Sequence, residues 1–119
     1  MHELAVADAI AAIALDHAGD RRVRAVEVQI GHLRQVVPDA LAFAFELVTA
    51  GTNLEGAALE IEHVPVRVRC TRCGDGTEQS EFPLVCTSCG SVEVDVVAGD
   101  ELLVQALELE EELATVGGR

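Results

Sequence analysis

The chain has no tryptophan, no tyrosine and no lysine, and its one methionine is Met1. Aromatic residues make up 3% of the 119 positions, so Phe43, Phe45 and Phe82 are the only large rings available to a core. With hydrophobic residues at 50%, that core must come from valine, leucine, isoleucine and alanine, and the length suits one compact unit. Positive charge is scarce as well: the formal net charge is -13. Such an acidic chain is repelled by phosphate backbones, which excludes generic nucleic-acid binding. Handling of cations or of a basic protein partner remains open. No uncharged run reaches the length of a membrane span. Asp8 and Asp16 interrupt the first apolar stretch, and no basic segment precedes it, so no secretory signal and a cytoplasmic location are expected. There is no glycine-rich phosphate loop and no serine, cysteine or lysine in a nucleophile motif. No catalytic residue is nominated, and an enzyme is not expected.

Periodicity predicts an α+β fold. Residues 4–18 read as a helix, with Val6, Ile10 and Ile13 on one stripe and Leu4, Ala11 and Leu15 beside it. Gly19 serves as its stop. Residues 22–32 alternate as a half-buried strand through Val26, Val28 and Ile30. Pro38 opens a second helix, with Leu41, Phe45 and Val48 as its apolar stripe and Gly51 after it. Residues 57–69 are extended, broken at Pro65. Val92, Val94 and Val96 begin another strand, and 102–110 is read as a strand returning to the main sheet. Residues 115–119 read as a frayed end. Two helices on a small mixed β-sheet result, carrying an inserted zinc-ribbon-like module at 70–90. The remaining domain, 1–69 plus 91–119, is discontinuous.

That module contains Cys70-x2-Cys73 and Cys86-x2-Cys89, each pair followed directly by glycine, Gly74 and Gly90. Two such knuckles can place four thiolates at the corners of a tetrahedron, the closed arrangement of structural Zn(II). In a reducing compartment, four cysteines in two pairs point to metal over disulfides. Redox chemistry would need only one pair, and neither it nor an iron–sulfur cluster explains the symmetric duplication. A closed site has no open position, so its role is to fold a module too small to hold itself.

The terminus is a second metal-binding candidate. An α-amine, the amide nitrogen of His2 and its imidazole can close small rings around one ion, with the amide of Glu3 as fourth donor. Four nitrogens in a plane suit Ni(II) or Cu(II). The plain alternative is a frayed end with a solvated histidine. Asp39 has an ordinary role in the first turn of a helix, where a carboxylate complements the dipole. His17 is read as a helix-end histidine, where a positive imidazole is favoured, and His32 and His63 as partly buried or surface histidines. Glu108, Glu110, Glu111 and Glu112 are read as a solvated acidic edge.

Taken in order, Met1-His2-Glu3-Leu4, Ile30-Gly31, Val37-Pro38-Asp39-Ala40-Leu41, Phe43-Ala44-Phe45-Glu46 and the two cysteine pairs resemble the HypA family of hydrogenase nickel-incorporation factors. The similarity covers nearly the whole chain. It implies a nickel metallochaperone for [NiFe]-hydrogenase maturation, with transported Ni(II) at Met1, His2 and Glu3 and structural Zn(II) at Cys70, Cys73, Cys86 and Cys89. Asp39 matches an acidic position implicated in some members. The implied partners are the GTPase HypB and the hydrogenase large subunit, with the chain itself a monomer or weak homodimer. Some members also serve urease. The competing function is a zinc-ribbon interaction module that transfers no metal; it explains the cysteines but not the terminus. A catalytic zinc enzyme is disfavoured because four thiolates fill the shell.

Overall fold

A computed structural model describes residues 2–110. Two helices, α1 (His2–Ala18) and α2 (Pro38–Thr49), accompany six strands: β1 (Val23–Gly31), β2 (Ala58–Val64), β3 (Val66–Cys70), β4 (Gly76–Gln79), β5 (Val94–Ala98) and β6 (Leu102–Leu109). They form two three-stranded sheets, ordered β2-β1-β6 and β4-β3-β5. The strand at the chain's end therefore does return to β1. Backbone contacts divide the chain into two compact units. One comprises Met1–Val28, Val36–Ile61 and Val104–Arg119; the other comprises Gln29–Gln35 and Glu62–Leu103. Among the described residues no helix is long and apolar enough to cross a membrane. The frayed end expected at 115–119, and Glu111 and Glu112 of the acidic edge, lie outside the described residues.

The first unit is built around α1 and α2, which pack against each other. On α1 the buried positions are Val6, Ala7, Ile10, Ala11, Ala14 and Ala18. A face made mostly of alanine permits close approach, and Ile10, Leu41, Phe45 and Leu54 supply the volume, each nearly fully buried. Ile13 and Leu4, expected on the apolar stripe, are 43% and 49% exposed instead. Alanines at 7, 14 and 18 shift the buried face away from them, because small residues can face inward as readily as large ones. On α2, Leu41, Ala44, Phe45 and Thr49 are buried. The Thr49 hydroxyl donates to the Phe45 carbonyl at 2.7 Å, which satisfies the one buried polar side chain of the described core.

The second unit contains the sheet around β3. Its strands β3 and β5, which flank the cysteine stretch, pair antiparallel, with a bulge between Arg67 and Val68. On the other side β3 pairs antiparallel with β4, a strand not expected from the sequence. Val66, Val68 and Cys70 point inward, while Arg67 and Arg69 alternate outward opposite Glu78 and Asp95. Gly31 and Gly99 are fixed by close approach: a Cβ on Gly31 would lie 2.0 Å from the Gly99 carbonyl oxygen. A Cβ on Gly99, whose φ is +113°, would lie 2.6 Å from the Val66 Cα. Any side chain at either position would force these segments apart.

Candidate metal centres

Each cysteine knuckle is a copy of the other in its hydrogen bonds. The amide of Cys70 donates to the Asp75 carbonyl and that of Gly74 to the Cys70 carbonyl, at 2.9 and 3.0 Å. Correspondingly, Cys86 donates to Ser91 and Gly90 donates to Cys86, at 2.8 and 2.9 Å. Gly74 and Gly90 have φ of +86° and +77°, a left-handed turn that glycine adopts without strain. Inside each loop the first sulfur collects two amides. Cys70 Sγ accepts from Arg72 and Cys73 at 3.3 and 3.4 Å, and Cys86 Sγ from Ser88 and Cys89, both at 3.4 Å. Two side-chain contacts join the halves: the Ser88 hydroxyl donates to the Asp75 carboxylate, and the Gln79 amide pairs with the backbone of Val85.

This framework brings all four sulfurs within 4.8 Å of one another. Cys70 and Cys89 stand 3.7 Å apart, and Cys73 and Cys86 3.6 Å apart. Four thiolates about 2.3 Å from a central zinc would have edges of about 3.8 Å, so the donor set fits a tetrahedral ion. Cys70 and Cys86 are buried, while Cys73 and Cys89 face solvent. The Cys73 amide pulls the Cys70 thiol down to about 6. The Cys89 amide likewise lowers Cys86. For Cys73 the Asp75 amide works downward, but the neighbouring Cys86 thiol and burial outweigh it and push the group up to about 12. Cys89 is raised in the same way, the pull of the Ser91 amide being outweighed by Cys70 and burial. A dication that takes all four sulfurs must displace their thiol protons, so acid opposes binding.

The amino-terminal residues are arranged differently. Helix α1 already includes His2, two residues earlier than its apolar periodicity implies. His2 is exposed and Glu3 half-buried. The Glu3 carboxylate accepts the Val37 amide proton at 3.0 Å, and that donor, chiefly, holds its carboxyl below the usual range. Asp39 lies in the first turn of α2 and is exposed. Among the described residues the four cysteines form the only group of three or more ligating side chains close enough to share an ion. The side chains of His2, Glu3 and Asp39 therefore do not gather into such a group. His17 Nδ1 donates to the Ile13 carbonyl at 3.0 Å, a helix-end role. His32 Nε2 donates to the Ser80 carbonyl at 3.2 Å and meets the His63 ring edge-on at 5.5 Å. Neither the Glu3–Val37 bond nor the His32–His63 contact had a local signal, since each joins residues more than thirty positions apart.

Comparison with known proteins places these sites in a family context. A family profile described as "Hydrogenase/urease nickel incorporation, metallochaperone, hypA" matches residues 1–109. The hydrogenase maturation factor HypA of Geobacter metallireducens is 46% identical over 115 residues, covering 92% of this chain and 100% of the relative. That of Nostoc punctiforme is 41% identical over 111 residues, covering 93% and 97%. Among solved structures, the Ni metallochaperone HypA from Helicobacter pylori superposes with a TM-score of 0.64 at 26% identity, covering 92% of this chain and 97% of that one.

Proposed function

From the premise that this chain belongs to the HypA family of hydrogenase/urease nickel-incorporation metallochaperones, we propose that it carries Ni(II) at its amino terminus and hands it over during [NiFe]-hydrogenase maturation. The ligands are the α-amine of Met1, the backbone nitrogen and imidazole of His2, and the backbone nitrogen of Glu3. Asp39 is a further candidate at the start of α2. The four cysteines hold structural zinc, and the role is binding and transfer in the cytoplasm, with no catalysis. The partners are the GTPase HypB and the hydrogenase large subunit, which receives the nickel, as the family resemblance implies.

The observation that carries this reading is the start of α1 at His2. The first amides of a helix have no intrahelical acceptor. The nitrogens of His2 and Glu3 can therefore lose their protons to a metal without breaking a helix bond. His2 is exposed, so its imidazole can swing to the same ion and a partner can reach it. The cysteine site offers the opposite chemistry: four fitted donors and no position for an incoming ligand.

The deciding experiment is a nickel titration of zinc-loaded protein with its native terminus, beside protein bearing one extra amino-terminal residue. One tight site, lost on extension, is expected. Tight binding that survives extension would move nickel off the terminus. Zinc binding with no nickel in either form would leave an interaction module that transfers no metal.

A further inference from the structure

Helix α2 begins without a cap of its own. Its N-cap is Val37, extended at φ -89° and ψ 115°, which has no side chain able to accept a hydrogen bond, and Pro38 follows. The acceptor at this helix start comes from the other helix: Glu3 Oε2 takes the Val37 amide proton. In a capping box a glutamate in the first turn reaches back to the N-cap amide of its own helix. Here the glutamate belongs to α1, so one carboxylate ties the first turn of α1 to the first turn of α2. A carboxylate committed to the Val37 amide is engaged with the start of α2, whereas the backbone beside it is what the proposed nickel site uses.

We propose that the Glu3 side chain is a positioning residue: by binding the Val37 amide it fixes the His2–Glu3 backbone for nickel, and it is not itself a nickel ligand. This rests on nickel binding at the terminus as proposed above. The arrangement couples the two helix starts. Whatever moves the first turn of α2, including a partner seated on the exposed Val37 side chain, releases the grip on the nickel-binding turn.

The test uses the full zinc-loaded chain with a native terminus and Ni(II) alone as probe. Glu3→Ala removes the acceptor, Glu3→Gln keeps a neutral acceptor, and Val37→Pro removes the donor without touching the nickel turn. Glu3→Ala and Val37→Pro are each expected to weaken nickel about tenfold and to speed its release, with the planar-nickel absorption band unchanged. Glu3→Gln should stay within about threefold of the parent. The Glu3→Ala/Val37→Pro double variant should be no worse than either single, because both cut the same contact. Far-UV circular dichroism checks that each variant folds. Equal losses in Glu3→Gln and Glu3→Ala with an altered band would make the carboxylate a ligand and overturn the proposal. So would Val37→Pro binding nickel like the parent, or additive losses in the double variant. A failure of the terminal site itself is read separately: extension of the parent chain would then leave nickel binding intact.

Discussion

The two compact units differ in what keeps them folded. In the first, Ile10, Leu41, Phe45, Leu54 and a row of valines and alanines are buried, and no described cysteine takes part. In the second, the buried apolar residues are Ile30, Val66, Val68, Cys70 and Cys86. Two of those five are cysteines of the four-sulfur cluster, so a metal joining the sulfurs would close much of that core. The contrast bears on how each unit can treat a metal. A body that folds on its own apolar contacts can bind an ion at its edge and give it up. A module whose interior is closed by an ion on four sulfurs would lose that closure with the ion. On the proposed function, cargo and structural metal differ in the source of stability as well as in ligand type.

The sharpest way to break this contrast is Cys86→Ser. A structural zinc contributes on the order of 10 kcal/mol to the small fold around it. The variant should bind no zinc, and amides of Glu62–Leu103 should lose hydrogen-exchange protection while those of α1 and α2 keep theirs. Persistent protection in the cysteine unit would mean its apolar contacts suffice. The converse substitution, Phe45→Ala, empties the middle of the first unit and should cost about 3–5 kcal/mol in denaturant unfolding followed through the helix signal. A loss below about 1 kcal/mol would show that unit does not depend on its core. Smaller again is the effect of His2→Ala. It should weaken nickel by about a hundredfold, near 2.7 kcal/mol, with zinc content and melting temperature unchanged. Calorimetric titration reads the first and elemental analysis the second.

Most of these contrasts were readable in the chain, and the exceptions have physical causes. Cysteine spacing is local, and each knuckle closes through bonds within six residues, so Cys70, Cys73, Cys86 and Cys89 could be grouped before any fold was known. Valine alternation marked β1, β3 and β5 for the same reason. Strand β4 was invisible because Gly76-Thr77-Glu78-Gln79 has no apolar alternation; it is defined by backbone pairing to β3 and by the Gln79–Val85 bridge. The buried face of α1 departs from its apolar periodicity at Ile13 and Leu4 because alanine carries little hydrophobic weight yet permits close packing between helices. Glu3 is the most instructive case. Its identity pointed to the terminus, but its carboxylate serves Val37, thirty-four residues away. Only the packing of two helices could show that.

The finest expected effect concerns that carboxylate. Because the Val37 amide lowers the Glu3 carboxyl below its ordinary value of 4.5, the charged form is the one the fold favours. A group lowered on folding stabilises the protein above its unfolded value and loses that contribution as pH falls through the folded one. The stability gap between the parent and Glu3→Gln should therefore be constant above about pH 5 and close as the pH drops below the folded value. Cysteine protonation, which acts on both proteins alike, cancels in the difference. The contact is solvent-facing, so screening keeps the gap small and high salt should shrink it further. A titration of the Glu3 carboxyl carbon by NMR reads the same property directly. A midpoint equal to that of an unfolded peptide would mean the carboxylate does not hold Val37 in solution. The start of α2 would then be uncapped, and the tie between the two helix starts would be lost with it.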